Sequence, residues 1–459
     1  MSFVDKLESF GNSVALQDEE GNIVSYLELS KRADALRNTI GTKKKFLFII
    51  CKNNIETIVG YIAGLMGGHA VLMLDSSMNR SLLDRLIEHY KPDGIWSDSG
   101  DGYKYVKFSE EGSLVHERLA LLLPTSGSTG SPKLVKLTME NLQSNAESIA
   151  KYLRLDSSEA PITTLPLHYS YGLSVINSHL LVGARILLTS NTIVSKDFWT
   201  FFKEANATSL SGVPYTYEML QRLRIDRMDL PSLRYMTQAG GKLSFELVKH
   251  FANIAANKGI SFYTMYGQTE ATARISWLPA DQISLKAGSI GIAIPGGKII
   301  IEDESGNAVT SPGVEGELIY QGKNVMMGYA EYSEDLILDD QLGGLLRTGD
   351  IAKFDEDGFF YITGRIKRFI KIFGNRINLE EIEQQLSKQG FNVKCTGEDN
   401  LLVIATLDGD INHIQSYLIE KYHFHHSTIK VFQIDEFPLN TSGKVQYAEI
   451  LRRFHKHIT

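Results

Sequence analysis

A chain of 459 residues is about three typical domain lengths, so a large domain with an appendage is the expected organisation. Apolar residues make up 43% and charged residues 22%, which excludes a disordered chain and a membrane-embedded one. The formal net charge of −7, with no long basic stripe to offset it, excludes nucleic acid as an expected partner.

In chain order, "MSFVDKLESF" carries acids and no apolar core, so it is not read as a secretory signal. Lys43, Lys44 and Lys45 precede "FLFII" and are expected to form a solvated strand entrance. "KFLFII" reads as a buried strand, "NIETIVGYIAGLMGG" as a helix ending in glycine and "AVLML" as the next strand. "ARILLTS", "SKDFWTFFKEAN" and "ATSLSGVP" repeat the pattern. This alternation predicts βαβ units and a mainly parallel sheet covered on both faces.

From about Gly288 the texture changes to strand-rich segments, "GGKIIIEDESGNAV", "GELIYQG" and "DIAKFDEDGFFYITG", with hairpin turns expected at Ser305-Gly306 and Asp357-Gly358. A small α+β pattern closes the chain: "LLVIATL", "INHIQSYLIEKY", "TIKVFQI" and "QYAEILRRF". The expected fold class is therefore α/β. A large layered N-terminal α/β domain with a β-rich subdomain, residues 1–366, is followed by a small mobile α+β C-terminal lid, residues 367–459.

No apolar stretch reaches the roughly 20 residues that a membrane helix needs, so no membrane span is expected. Cys51 and Cys395 lie far apart with no metal-like spacing, and free thiols in a reducing, cytoplasmic compartment are the simple reading. "HFHH", with His423, His425 and His426, lacks a companion Cys or carboxylate pair and reads as a surface or turn cluster.

One stretch calls for chemistry. "LLLPTSGSTGSPKLVKLTMENL" places Thr125, Ser126, Gly127, Ser128, Thr129 and Gly130 together, then Lys133, directly after an apolar run. Small residues between a strand and a helix let backbone amides approach a phosphate, while hydroxyls and one lysine add donors and charge. It is not a Walker A loop, because Lys133 follows Pro132 and precedes Leu134. Taken alone, the cluster reads rather as a flexible Ser/Gly surface turn.

It is not alone. The stretch resembles the phosphate loop of the adenylate-forming superfamily, which includes acyl-CoA synthetases, luciferases and the adenylation domains of peptide synthetases, and six motifs follow that family's order. "QAGGKL", with Gly240 and Gly241, resembles its adenine-contacting stretch. "MYGQTEA" resembles its nucleotide and magnesium motif, which implies that Tyr266 stacks on adenine and Glu270 helps to hold Mg2+. "LRTGD" implies a ribose-binding role for Asp350. "GRIKRFIKIFGNRINLEEIE" resembles the hinge motif, implying a nucleotide contact for Arg365, a pivot at Lys367 and a place for Gly374 on the face that admits the thiol arm. "NTSGKVQ" implies that Lys444 is the adenylation catalyst.

The resemblance implies ATP and Mg2+ as cofactors and a two-step reaction. A small-molecule carboxylic acid becomes an acyl-adenylate and is then passed to the thiol of CoA or of phosphopantetheine on an acyl carrier protein. "LPLHYSYGL" resembles the acid-binding segment of acyl- and aryl-CoA synthetases, placing His168, Tyr169 and Gly172 at the acid pocket. His168 and Tyr169 stand in an order inverted from the family pattern, so either one is a candidate gate. No Asp or Glu occurs from Thr163 through Lys196, whereas a buried α-ammonium needs a carboxylate partner. The acid is therefore expected to be fatty or aryl without a free α-amino group. A standalone amino-acid adenylation enzyme that loads a carrier protein is the alternative. A luciferase-like oxygenase shares the fold and the first step, and a non-catalytic acyl-nucleotide binder would be free to lose Lys444, Glu270 or Asp350, all of which are present.

Overall fold

The computed structural model describes residues 2–109, 113–124, 133–373, 375–407, 409–422, 424–440 and 445–458. Packing divides the chain into two compact units: Met1–Ile299 with Tyr320–Leu346, and Ile300–Ile319 with Arg347–Thr459. This division groups much of the β-rich segment with the C-terminal part.

The first unit is built on a seven-stranded sheet. Its spatial order is Gly328–Ala330, Leu134–Thr138, Leu119–Pro124, Ala70–Asp75, Phe46–Cys51, Gly94–Asp98 and Tyr103–Lys107. The four strands from Leu119–Pro124 to Gly94–Asp98 are parallel, and antiparallel pairs close both edges. Side chains alternate across each parallel strand with period two. Leu47 and Ile49, with Val71 and Met73, join one core with Ile58 and Ile62 of the helix Ile55–Met66. Phe46 and Phe48, with Leu72 and Leu74, join a second core with Leu86 and Tyr90 of the helix Arg80–Tyr90. Both faces are dry, as the continuous apolar runs predict.

The helices begin where the sequence offers a side-chain acceptor. Ser25, Asn54, Asn79, Thr138, Ser195 and Ser244 each accept from a backbone N–H of the first turn. A second sheet of the same unit runs Ser209–Gly212, Tyr235–Gln238 and Ser261–Tyr266 in parallel, then Ser276–Leu278 and Ile292–Ala293 antiparallel.

Two expectations fail here. The segment after the Ser/Gly cluster is not a helix: Leu134–Thr138 is a strand antiparallel to Leu119–Pro124, with Pro124 opposite Leu134, and the helix starts only at Met139 behind its Thr138 cap. The apolar "LVKLT" pairs in the sheet and buries even Lys136, whose Nζ donates to the carbonyls of Asp335 and Leu338 at 2.9 and 3.0 Å. Nor is the lysine run a solvated entrance. Lys45 is buried, and Lys44 Nζ donates to the carbonyls of Gly68, Glu117 and Leu119 at 2.7, 3.1 and 2.7 Å. Three carbonyls at strand ends need donors, and one ammonium supplies them.

In the second unit Leu345–Phe354 and Phe360–Arg365 form an antiparallel pair turning at Asp357-Gly358, as expected. The C-terminal sheet Val393–Glu398, Leu401–Thr406 and Ile429–Gln433 again has two buried faces. Leu402 and Ile404 pack with Leu386 and Leu418, and Val403 and Ala405 pack with Ile450 and Phe454. Cys51 and Cys395 are buried free thiols. His425 and His426 are exposed, and His423 lies outside the described residues. No helix among the described residues is long and apolar enough to cross a membrane.

Two histidines of the first unit are buried as neutral rings. His179 Nδ1 donates to the Val175 carbonyl at 2.7 Å and its Nε2 lies 3.0 Å from the Tyr235 hydroxyl, while His69 Nδ1 accepts from Lys45 N at 3.2 Å. Burial lowers both to about 4, with Lys44 and Lys45 adding to the effect at His69. The unfolded chain, with histidines near 6.5, therefore takes up protons first as pH falls. Stability is full above about pH 6.5 and drains away toward pH 4, on the order of 3 kcal/mol per histidine. Urea midpoints measured from pH 7 to pH 4 are expected to fall for the wild type and to fall less for His179→Gln; parallel slopes would contradict the assignment.

Candidate active site

Three parallel strands of the first unit run at their C-terminal ends directly into motif residues, the end at which open α/β sheets bind ligands. Leu119–Pro124 runs into the segment 125–132, Tyr235–Gln238 into Gly240 and Gly241, and Ser261–Tyr266 into Gly267 and Glu270. Thr125, Ser126, Gly127, Ser128, Thr129 and Gly130 lie outside the described residues, as do Gly374 and Lys444.

Glu270 sits in the short 3-10 turn Thr269–Ala271. The chain reverses so tightly there that a Cβ on Gly267 would stand 1.8 Å from the Ala273 carbonyl oxygen, so only glycine fits. Asn324 pins the reversal: its Nδ2 donates to the carbonyls of Ala271 and Arg274, each at 2.8 Å, and its Oδ1 accepts from the Tyr320 hydroxyl at 2.8 Å. Thr272, at φ +63°, donates its hydroxyl to the Asn324 carbonyl at 2.7 Å.

On this base a short electrostatic chain is assembled. The Tyr329 hydroxyl donates to Glu270 Oε1 at 2.9 Å. Lys133 Nζ lies 3.9 Å from the Tyr329 ring centroid and 3.1 Å from Glu331 Oε1. Burial, and then the neighbouring Glu270 charge, pushes the Tyr329 phenol well above its ordinary value, so it remains a donor. Tyr266 ends its strand beside Gln268, whose Nε2 reaches its hydroxyl at 3.2 Å. Sequence reasoning named Glu270, Lys133 and Tyr266 but not Tyr329 or Glu331. The strand that carries Tyr329, Gly328–Ala330, is three residues long and pairs with Leu134–Thr138 across most of the motif set.

Gly240, at φ +81°, lies against Tyr169, and a Cβ there would stand 2.6 Å from the Tyr169 hydroxyl oxygen. The acid segment and the glycine pair are thus brought together. Gly241 packs on Pro214, and its carbonyl accepts from Gln238 Nε2 at 2.8 Å. Tyr169 is pushed up to about 12 by burial, against the pull of Arg274. His168 Nε2 stands 3.7 Å from Asp75 Oδ2, and burial holds this ring below the usual histidine value despite that carboxylate. Gly172 faces inward, where a Cβ would meet the Pro166 carbonyl oxygen at 2.3 Å. Asp75 ends the strand Ala70–Asp75 of the seven-stranded sheet, and only the fold brings it to His168. Arg274 was also missed, although a single arginine within the apolar "ATARISWL" was a visible signal.

In the second unit, Asp350 and Arg365 are opposite residues of an antiparallel pair, with Arg365 Nε donating to Asp350 Oδ1 at 2.6 Å. The next residues, Ile366–Arg368, form a 3-10 turn that contains Lys367. Arg368 is held by Glu383 at 2.7 Å, by the Cys395 carbonyl at 2.9 Å and over the Tyr447 ring at 3.7 Å. Among the described residues no group of three or more His, Cys, Asp and Glu could hold a metal ion by itself. A polar cleft lined by Glu159, Arg185 and Arg234 lies at the opposite, N-terminal ends of the strands and holds none of the motif residues.

Comparison with known proteins gives a consistent picture. The family model described as AMP-binding enzyme matches residues 94–330. Feruloyl-CoA synthase from an Amycolatopsis species is 27% identical over 352 residues, 73% of this chain and 70% of that protein. The crystal structure of ATP-bound MatB from Rhodopseudomonas palustris aligns with a TM-score of 0.80 at 22% identity, covering 100% of both chains. O-succinylbenzoate coenzyme A synthetase (MenE) from Bacillus subtilis, in complex with AMP, aligns with a TM-score of 0.79 at 21% identity, covering 98% of this chain and 97% of that one. At these identities the two structures speak for the fold.

The Tyr169–Gly240 contact is testable by a double-mutant cycle. Gly240→Ala is expected to cost roughly 1–3 kcal/mol, part backbone strain at positive φ and part overlap with the hydroxyl. In a Tyr169→Phe background the overlap is gone, and roughly 1 kcal/mol should remain. Urea unfolding of the four proteins measures the coupling; additive effects would rule out the contact.

Proposed function

The chain belongs to the AMP-binding enzyme family, and from that premise we propose that it joins a carboxylic acid to a thiol through an acyl-adenylate. In the first step a carboxylate oxygen attacks the α-phosphorus of ATP, and pyrophosphate leaves. In the second the thiol sulfur attacks the acyl carbon, its proton is released, and AMP leaves. Two anions meet in the first step, so the site must supply oriented donors and positive charge.

The residues support that assignment by position and chemistry. Lys133, kept extended by Glu331 and the Tyr329 face, is the cation for the β- and γ-phosphates, together with the amides and hydroxyls of Thr125 through Gly130. Glu270 fits Mg2+, because Tyr329 occupies one of its oxygens and a magnesium site of this kind needs one or two carboxylates plus phosphate oxygens. The ion, when bound, neutralises charge on the leaving pyrophosphate. Tyr266 lies against adenine, and the bare backbone of Gly240 and Gly241 accepts its edge. Asp350 holds the ribose hydroxyls and Arg365 contacts the nucleotide. Lys444 bridges carboxylate and α-phosphate as a mobile point charge. Lys367 is the pivot: Arg365 on one side and Arg368 on the other are each tied down, which leaves Ile366 and Lys367 between them. Gly374 belongs to the face that admits the thiol arm.

The observation that carries this reading is the chain Glu270–Tyr329–Lys133 at the strand ends, beside Tyr266 and within the matched family region. Coenzyme A is the thiol favoured, because the relatives described above are named for it; a phosphopantetheinyl carrier protein is the other acceptor. The amino-acid reading loses ground. Asp75 does reach the acid segment, but His168 and the Ser77 amide, at 2.8 Å, already face it, and the buried cation nearby is Arg274, the wrong charge for an ammonium.

ATP–pyrophosphate exchange across fatty, aryl, dicarboxylic and amino acids tests the proposal. Exchange with one acid class is expected, lowered about 100-fold or more in Lys444→Ala, with a raised Mg2+ requirement in Glu270→Gln. Exchange undiminished in Lys444→Ala would remove that residue from the chemistry, and silence across the panel from ATP-binding protein would favour a binder.

A further inference from the structure

Arg274 is 2% exposed, and among the described residues no carboxylate pairs with it. A guanidinium stays charged at any pH a protein survives. A buried charge without a counter-charge is retained only against a strong penalty. Its visible compensation is partial: the guanidinium carbon lies 4.1 Å from the Tyr171 ring centroid, and the Tyr152 hydroxyl is within hydrogen-bonding reach, but Nε has no partner. The surrounding polar atoms are unsatisfied too. Asn145 Oδ1 and Ser148 Oγ are buried without partners on the helix Met139–Leu153. Asn145, Ser148 and Tyr152 are spaced three and four residues apart and so share one helix face. That face meets Arg274, since Asn145 Nδ2 reaches the Arg274 carbonyl at 3.5 Å.

This arrangement stands beside the acid segment. The Tyr171 ring that carries Arg274 is 6.3 Å from the Tyr169 ring, and the Tyr169 hydroxyl lies against Gly240. We infer that Arg274 is a specificity-determining residue, and that the acid carries a second anionic group, a second carboxylate, which Arg274 binds while the reacting carboxylate faces the nucleotide. The inference rests on the adenylation reading above and deepens it by naming the substrate class. An acceptor-only group with two oxygens satisfies the guanidinium fork, including Nε, and neutralises its charge. A monocarboxylic acid of the same length would leave the cation buried and unpaired while adding apolar surface against it.

The test compares matched acids: pentanoate with glutarate, hexanoate with adipate, and benzoate with phthalate. Pyrophosphate exchange is measured for the wild type, Arg274→Lys and Arg274→Met, and thermal stabilisation by each acid alone is measured alongside. At least one diacid is expected to exceed its monoacid partner by about 100-fold in kcat/KM with the wild type. Arg274→Met should lose that preference and gain on the monoacid, and Arg274→Lys, which keeps the charge but not the planar fork, should keep only part of it. A wild type that prefers monoacids, or an Arg274→Met that lowers both partners equally, overturns the inference. If no acid gives exchange with any protein, the adenylation reading has failed separately. The anion site then stands if diacids stabilise the wild type and not Arg274→Met, and falls if no diacid does. Should Arg274→Met not fold, the wild-type preference for the diacid, and its partial retention in Arg274→Lys, decide the matter.

Discussion

The constraint on which the first unit depends is that its parallel strands are dry on both faces. Phe46–Cys51 and Ala70–Asp75 send alternate side chains into two separate cores, so every backbone donor and acceptor along them must be used within the sheet. Nothing polar can be done along such a strand. Chemistry is pushed to the places where the ladder stops, and there the chain has unpaired amides, tight reversals and room for charged side chains. The motif residues fall at these places because no others are available to them.

At the strand ends, charge is arranged in linked pairs rather than singly. Glu270 is fixed by Tyr329, whose ring carries Lys133, which Glu331 holds from the far side. Each group is oriented by a neighbour of complementary chemistry, a donor for the carboxylate and a ring face and a carboxylate for the ammonium. Arg274 is the exception, a cation whose environment is complete in shape and incomplete in charge. The contrast separates charges paired near solvent from one left in the interior without a carboxylate partner among the described residues.

Much of this was legible in the sequence. The apolar runs, their capping residues and the Asp-Gly and Ser-Gly turns are local signals, and local signals place elements. In the first unit the motifs at 121–142, 238–243 and 265–271 fall where strands end, whereas Asp350 lies within a strand. What escaped was non-local. Tyr329 meets Glu270 across 59 residues of sequence and Asp75, at a strand end, meets His168 in a distant turn, with no periodicity to announce either pairing. The lysines at 44 and 136 look like solvent-facing charges until the carbonyls they satisfy are known. A loop leading from a strand into a helix is the general expectation for a phosphate site, and here the pairing of Leu134 with Pro124 puts a strand before the helix.

The two residues between Arg365 and Arg368 have a consequence of their own. Arg365 is tied to Asp350, and Arg368 is clamped by Glu383, Tyr447 and a carbonyl. Each intervening residue has only two soft dihedrals. A joint so short, fastened at both ends, has few conformers to lose and few to visit. With the pivot proposed at Lys367, such a joint would switch between discrete settings rather than wander as a tether, and a ligand that makes better contacts in one setting than in the other would bias the balance.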